Sequence, residues 1–179
     1  MRDVIESPDP YRIRVARADE LARLKEIEDE AGELFEGLGL NDETLDSSFA
    51  TEQRRRLVAL GQVWVACTAD DVAVGAVAAS VRDGAVYVEE LDVVPMHGRR
   101  GIGTRLLAHV CAWGMSQGLR AVTLSTFGDV AWNGRFYRSQ GFRDLDPSEW
   151  TPSMHSIRDD EGRQGLVIEA RVFMRRELS

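Results

Sequence analysis

The sequence predicts a mixed α/β fold that forms one domain over residues 1–179. Stretches in which apolar and polar residues alternate, as in a half-buried strand, are interleaved with stretches in which apolar residues recur every three or four positions, as in a helix. The pair Asp83-Gly84 separates two strand-like stretches and favours the positive φ angles of a tight hairpin turn. A chain of 179 residues, 44% of them hydrophobic, suits one core.

The N-terminal part predicts a strand followed by a helix. Ile13 and Val15 alternate with arginines, which indicates a strand with one solvated face. Asp19 stands at the N-cap position of a first amphipathic helix. The apolar residues that recur at helical spacing in this helix are Leu21, Leu24, Ile27, Ala31 and Leu34.

A second helix is predicted over about residues 42–60. Its inward side chains would be Leu45, Phe49 and Leu57. The arginine-rich stretch EQRRR, residues 52–56, would then form a solvated outer face.

The middle of the chain predicts three strands, a long helix and a fourth strand. QVWVACTADD is a strand that ends in a turn, and the two strands of the hairpin follow it. The helix runs from about Ile102 to Gln117, and Gly118 ends it as a C-cap glycine does. The stretch RAVTLSTF is almost continuously apolar, which is typical of a parallel strand. The buried stripe of the helix consists of Leu106, Leu107, Val110 and Trp113.

The C-terminal part predicts a short helix, two extended segments and a polar stretch. DVAWNGRFYRSQGF is a short helix ended by Gly141, and Phe142 begins an extended segment. Between Asp146 and Gly165 the chain is polar and contains proline, and a short helix across one sheet edge is predicted there. VIEARVFMRREL is the closing strand.

Composition argues against several classes of protein. A net charge of −8 disfavours a nucleic-acid binder that works through a basic surface. Cys67 and Cys111 form no CxxC pair and are read as buried apolar residues, and the three histidines share no metal-binding spacing, so no metal is expected. The N-terminus lacks the apolar run of a signal peptide, and no stretch approaches the ~18 apolar residues of a membrane span. A cytoplasmic protein is therefore expected.

The stretch HGRRGIGTRLL, which begins at His97, predicts an anion site. The first amides of a helix have no partner within it, and a glycine-rich entry lets an anion approach them. Arg99 and Arg100 add cationic side chains that suit phosphate oxygens. The stretch has no lysine for a Walker A loop, and Leu106 occupies the third glycine position of a Rossmann fingerprint.

The motifs around this stretch resemble those of the GNAT superfamily of N-acetyltransferases. LDVVP, Leu91 to Pro95, resembles the family's LxVxP strand end, and Gly101-Ile102-Gly103 follows six residues after the proline. WNGRFYRSQGF resembles the family's late helix with its tyrosine and terminal GF. The resemblance covers nearly the whole chain. It implies a largely antiparallel sheet of six to seven strands with helices on both faces.

The resemblance implies that the chain binds acetyl-CoA as cosubstrate. The extended LDVVP segment would hydrogen-bond the pantetheine arm, and the N–H of Val93 would hold the oxyanion. Gly98 departs from the family pattern, which has Gln or Arg there, and Arg99 and Arg100 could replace that charge. Asn133 resembles a cofactor-contacting asparagine or, alternatively, a helix N-cap. The residues implied in cofactor binding are Leu91, Val93, Val94, Gly98, Arg99, Arg100, Gly101, Ile102, Gly103, Thr104, Asn133 and Tyr137.

Three residues are candidates for the chemistry of acetyl transfer. Glu89 and Glu90 adjoin on a strand, so one of them faces a given cleft unless a bulge intervenes, and the resemblance implies such a bulge. Glu89 is the first candidate for the base or amine anchor and Glu90 the second. Tyr137 would stabilise the leaving thiolate, with either Phe136 or Tyr137 in the core and the other free to reach the cleft.

The expected acceptor is a primary amine of a small molecule or peptide, attacked directly in a ternary complex. Glu33, Glu36 and Asp42 could contribute negative potential for a cationic amine. The alternative function is a non-catalytic acyl-CoA-binding regulatory module of the same fold. No nucleic-acid or membrane partner is expected, and the resemblance allows a homodimer.

Overall fold

The computed structural model describes residues 10–39, 48–130 and 132–179. In these ranges, seven strands and five α-helices follow one another in the predicted order, with the predicted additional helix before the last strand. The strands are β1 (Arg12–Val15), β2 (Val63–Cys67), β3 (Ala73–Arg82), β4 (Ala85–Val93), β5 (Ala121–Phe127), β6 (Arg143–Asp144) and β7 (Arg171–Glu177). The helices are α1 (Leu21–Gly32), α2 (Ser48–Ala59), α3 (Ile102–Ser116), α4 (Gly134–Ser139) and α5 (Pro152–Arg163).

The strands form one sheet in the order β1-β2-β3-β4-β5-β7-β6. All neighbouring pairs are antiparallel except β4 and β5, which confirms both the antiparallel character of the sheet and the parallel placement of β5. Asp83 and Gly84 have φ angles of 48° and 74° and join β3 to β4 in the predicted hairpin.

Helices cover both faces of the sheet, as predicted. On one face α3 and α4 bury Leu106, Leu107 and Tyr137 against β2 to β5 and β7. On the opposite face α1 and α2 bury Ile27 and Leu57 against β2 and β3. On that same face, and not across a sheet edge as predicted, α5 packs on β4 and β7 through a cluster of Tyr87, Leu145, Met154, Ile157 and Phe173.

The first helix differs from its prediction at both ends. Asp19 is not its N-cap, because a short 3-10 turn over Ala18–Glu20 precedes α1 and Glu20 adjoins its first residue. Oε2 of Glu20 accepts a hydrogen bond from the backbone N–H of Arg17 at 2.8 Å, so the longer carboxylate supports the turn. Leu34 is exposed, since α1 ends at Gly32 and a second 3-10 turn follows.

The second helix begins at Ser48, and the predicted residues 42–47, with Leu45, lie outside the described part of the chain, as does the side chain of Phe49. Its arginine-rich stretch is not uniformly solvated as predicted. Arg54 is 5% exposed, because it lies three residues before the buried Leu57 and shares its inward face.

Candidate active site

The turn between β4 and α3 leaves backbone amides open at the start of a 15-residue helix. Gly101 is the N-cap of α3 and has a φ of 77°, a left-handed conformation that favours glycine. The first intrahelical bond at this end runs from the N–H of Arg105 to the carbonyl of Gly101. The amides of Ile102, Gly103 and Thr104 therefore have no acceptor within the helix, as the sequence predicts.

The three glycines of this turn have different roles. A Cβ added at Gly101 would meet no atom within 4 Å, so the space beside Gly101 is open. A Cβ at Gly98 would lie 3.0 Å from the carbonyl oxygen of Pro95, which explains why a Gln or Arg is absent there. A Cβ at Gly103 would lie 3.4 Å from Cζ of Phe136, so this glycine allows α3 and α4 to approach each other.

The predicted cationic side chains flank the open amides. Arg99 and Arg100 are both exposed, and Arg99 has a φ of 56°. Nη1 of Arg100 donates to the hydroxyl of Tyr11 at 3.2 Å, and that hydroxyl lies 2.9 Å from Nδ1 of His97. Tyr11 thus links the turn to the start of β1. These contacts hold in place the loop that an anion at the helix end would contact.

Strands β4 and β5 pair over three residues and then separate. Val86, Tyr87 and Val88 pair with residues 122–124, and neither strand pairs with the other beyond Val88. The N–H of Val94 donates to the carbonyl of Val74 on β3, at 3.0 Å. Successive amides of a strand point in opposite directions, so the N–H of Val93 points to the opened edge. The N–H of Val94 is already bonded to β3, so the predicted cofactor contact of Val94 cannot use its amide.

A bulge in β4 gives the two adjacent glutamates a common face, as the resemblance implies. Ala78 pairs with Glu90 whereas Ala79 pairs with Val88, so Glu89 is the extra residue. Both glutamates line a cleft of about 550 Å³ between α2 and α5, on the face opposite α3. Leu91 and Val93 pack on the other face, against the α3 core.

The Glu89 carboxylate is engaged by neighbouring side chains. Its Oε1 accepts hydrogen bonds from Oγ of Ser80 at 2.6 Å and from Nη2 of Arg82 at 2.7 Å. Nε of Arg82 adds a third bond to the same oxygen, at 3.1 Å. These donors fix the carboxylate beside β3.

Glu90 belongs to an ion-pair network that the sequence did not predict. Nη2 of Arg54 lies 2.9 Å from Oε1 of Glu90 and 2.6 Å from Oε2 of Glu28 on α1. Burial raises the pKa of Glu90, and the charge of Glu28 raises it further, while Arg54 lowers it. The network holds a carboxylate of raised proton affinity inside the cleft region.

Asp92 is a second carboxylate that the sequence analysis missed. Burial raises its pKa well above the usual value, and the charges of Glu90 and Glu28 add to this effect. No described side chain forms a hydrogen bond with its carboxylate. The residue could have been found from the two-residue period of a strand, which places it on the same face as Glu90.

Tyr137 lies deep in the protein, in the core cluster on the α3 face of the sheet. It is 7% exposed and packs edge-on against the rings of Phe136 and Phe142. Burial raises the pKa of Tyr137, and the charge of Asp92 raises it further, so the two residues are electrostatically coupled. Tyr137 is thus the core member of the Phe136-Tyr137 pair, while Phe136 is half-buried.

Asn133 is the N-cap of α4, one of its two predicted roles. Its carbonyl accepts the N–H of Tyr137 at 3.1 Å, but its side chain forms no capping hydrogen bond.

The acidic residues predicted to attract a cationic amine do not line the cleft where the structure describes them. Glu33 and Glu36 are exposed beyond α1, and Asp42 lies outside the described residues.

Neither a metal-binding cluster nor a membrane-spanning helix occurs within residues 10–39, 48–130 and 132–179. No group of three His, Cys, Asp or Glu side chains in these ranges could hold a metal ion. The helices in the same ranges are too short or too polar to cross a membrane.

Comparisons with known proteins agree with this fold. PaiA N-acetyltransferase from Thermoplasma acidophilum, solved with coenzyme A, has a TM-score of 0.72 at 16% identity over 93% of this chain and 98% of its own. A mosquito arylalkylamine N-acetyltransferase like 5b gives 0.69 at 18% identity over 94% and 100%.

N-acetylglutamate synthase from Neisseria gonorrhoeae, solved with coenzyme A and N-acetyl-glutamate, gives a TM-score of 0.71 at 17% identity. The match covers 94% of this chain but 35% of that longer one, so the chain spans about a third of its length. The model of the Acetyltransferase (GNAT) family matches residues 22–142, which is more than half of the chain. The chain therefore belongs to the GNAT acetyltransferase family.

Proposed function

We propose that this chain is an acetyl-CoA-dependent N-acetyltransferase that acetylates a primary amine by direct attack in a ternary complex. One observation carries the proposal. The opened edge of β4 lies between the free amides of α3 on one face of the sheet and a carboxylate-lined cleft on the other. A thioester in that opening would meet an amine that enters from the opposite side.

The start of α3 fits the diphosphate of coenzyme A. The amides of Ile102, Gly103 and Thr104 and the positive end of the helix dipole favour an anion. The open space at Gly101 allows phosphate oxygens to reach the backbone. Arg99 and Arg100 add charged donors, which bind phosphate more strongly than neutral ones do.

The opened edge of β4 fits the extended pantetheine arm. Leu91 and Val93 are two residues apart, so their amides point the same way and can pair with a chain that lies in the place of a neighbouring strand. The N–H of Val93 then donates to the carbonyl oxygen of the thioester. This bond strengthens as the oxygen becomes an oxyanion.

Asp92 accepts the proton of the amine in our proposal, with Glu90 beside it. A primary ammonium has a pKa near 10.4, so a base is required at neutral pH. The raised pKa of Asp92 makes it a better proton acceptor than an ordinary carboxylate, and its carboxylate has no described hydrogen-bond donor. Glu89, the first candidate from sequence, is held by Ser80 and Arg82 and is less suited to this role.

Tyr137 is buried, so in our proposal the thioester arm enters the opened edge of β4 and reaches the Tyr137 hydroxyl, which donates a hydrogen bond to the departing thiolate. The neutral amine forms a bond to the carbonyl carbon, and the C–S bond breaks as the tetrahedral intermediate collapses. Burial raises the pKa of Tyr137, which keeps the phenol protonated and opposes full transfer of its proton. The thiolate therefore takes its proton from the nitrogen of the new amide.

Thiol release from acetyl-CoA across a panel of primary amines tests this function. We expect amine-dependent release that falls strongly in Asp92→Asn and Tyr137→Phe, while CoA affinity is retained. Coenzyme A binding without turnover on any amine would instead support the regulatory module. Binding of neither coenzyme A nor amine would contradict both.

A further inference from the structure

Tyr11 is a buried residue whose hydroxyl reaches the turn between β4 and α3. The residue is 6% exposed and belongs to the core cluster on the α3 face of the sheet. Nη1 of Arg100 donates to its hydroxyl oxygen at 3.2 Å, and the same oxygen lies 2.9 Å from Nδ1 of His97. The backbone carbonyl of Tyr11 accepts a hydrogen bond from Nη2 of Arg105 on α3, at 2.9 Å. Tyr11 therefore contacts both the turn and the helix that follows it.

The direction of these hydrogen bonds leaves the guanidinium group of Arg100 available to an anion. A guanidinium can only donate, so the Tyr11 oxygen accepts from Arg100, and its own proton can go to Nδ1 of His97 in the tautomer that carries hydrogen on Nε2. The other N–H groups of Arg100 have no hydrogen-bond or ion-pair partner within residues 10–39, 48–130 and 132–179. The hydroxyl thus fixes this side chain without neutralising its charge.

The two arginines of the turn differ in how they are held. Among the described residues, Arg99 has no side-chain hydrogen bond or ion pair, whereas Arg100 is anchored to the core through Tyr11. Fixing a flexible arginine costs side-chain entropy, and a bond formed before the ligand arrives reduces the share of that cost that falls on binding. Arg100 also directly precedes Gly101, the N-cap of α3, so its backbone adjoins the open amides.

We infer that Tyr11 is a positioning residue for coenzyme A, because its hydroxyl holds Arg100 in place to bind the diphosphate. Arg99 contributes charge without a fixed position. The inference rests on the proposed function only in placing the diphosphate at the start of α3. Loss of the Tyr11 hydroxyl then removes the part of the affinity that Arg100 supplies, and it leaves the contributions of the amides and of Arg99 intact.

Calorimetric titration of coenzyme A into a double-mutant cycle tests the inference without turnover. Tyr11→Phe removes the hydroxyl and keeps the ring in the core. We expect it to weaken coenzyme A binding about fivefold to tenfold in the wild-type background, and by less than about twofold in an Arg100→Met background. In the matched Arg99→Met background the loss should keep its full size, because Arg99 is exposed in the same turn and does not bond Tyr11.

An equal loss in the Arg100→Met and Arg99→Met backgrounds would overturn the inference, since the hydroxyl would then act on the whole turn and not through Arg100. Unchanged affinity of Tyr11→Phe would overturn it as well. His97→Phe repeats the cycle with Tyr11 intact, should Tyr11→Phe fail to fold. It removes the nitrogen that orients the hydroxyl, and we expect a smaller loss that also disappears in the Arg100→Met background. Persistence of that loss would contradict the inference.

Turnover with a saturating primary amine gives an independent readout. Tyr11→Phe should raise the KM for acetyl-CoA about as much as it weakens coenzyme A binding, while kcat stays within about twofold. A lower kcat at an unchanged KM would overturn the positioning role. A wild type that binds no coenzyme A would contradict the proposed function and this inference together. Wild-type binding with an additive cycle would contradict only the role of Tyr11.

Discussion

Nη2 of Arg54 lies 2.9 Å from Oε1 of Glu90, so a nearly fully buried guanidinium on α2 is paired with a carboxylate on the proposed catalytic strand. The same nitrogen also bonds Glu28 on α1. This arrangement joins α1, α2 and β4 at the cleft. It links the stability of that region to the proton affinity of its carboxylates.

Replacing Arg54 with methionine should destabilise the protein by about 1–3 kcal/mol. A buried ion pair that loses one partner leaves uncompensated charge, and the partial exposure of Glu28 and Glu90 reduces the cost below that of a fully buried pair. Denaturant unfolding measures the change. Arg55→Met is the matched control, since Arg55 is exposed on the same helix and pairs with Glu52. Equal stability of the two variants would show that the Arg54 network contributes nothing.

Asp92→Asn should stabilise the protein in mildly alkaline solution while it abolishes most of the activity. The folded state raises the pKa of Asp92, so this group favours folding below its unfolded pKa and loses that contribution as pH rises through the folded pKa. The gain should be present above neutral pH and should shrink in acid. A gain that is the same at every pH would contradict the raised pKa.

Asp71→Asn should show the opposite pH dependence. Hydrogen bonds from Arg17, Arg12 and Arg14 lower the pKa of Asp71, so its contribution is present above its unfolded pKa and is lost as pH falls. Asn tolerates the φ of 63° at this position, which limits any backbone effect. Thermal unfolding should show a lower midpoint for the variant at neutral pH and converging midpoints in acid. Divergence in acid would contradict the assignment.

Glu28→Gln should move the acid limb of kcat/KM to lower pH. The charge of Glu28 raises the pKa of both Glu90 and Asp92, so its removal lets them ionise at lower pH. The pH–rate profile with a primary amine as the varied substrate measures the shift. Glu26→Gln provides the control, because Glu26 is exposed on the same helix and pairs with Arg23. A profile shifted by both variants alike would point to a long-range charge effect.

The sequence predicted the features that depend on local chemistry. The φ requirement of Asp83-Gly84 and the glycine-rich entry to α3 are properties of short segments, and the order of strands and helices follows from periodicity. Arg54 was assigned to the solvated face because it is charged, although its spacing of three residues from Leu57 places its side chain on the inward face. Asp19 was predicted as the N-cap of α1, but Glu20 occupies that position and its side chain forms no capping hydrogen bond to α1.

The contacts of Glu161 depend on long-range packing. Its burial and its pairing with Arg171 arise where α5 returns across β4 and β7, and no local pattern encodes that return. The engagement of Glu89 by Ser80 and Arg82 likewise depends on the register of β3 against β4 and on the bulge within it. Sequence analysis therefore found the anion-binding turn more readily than the acceptor cleft.

The affinity of coenzyme A for two matched glycine variants tests the central claim most directly. Gly101 and Gly118 flank the two ends of α3, have φ angles of 77° and 72°, and have open space around the missing Cβ. Valine at either position should therefore cost similar backbone strain, of about 1–2 kcal/mol. Calorimetry should show coenzyme A binding weakened at least about tenfold by Gly101→Val and nearly unchanged by Gly118→Val. Equal affinity in the two folded variants would contradict the binding of the diphosphate at the start of α3.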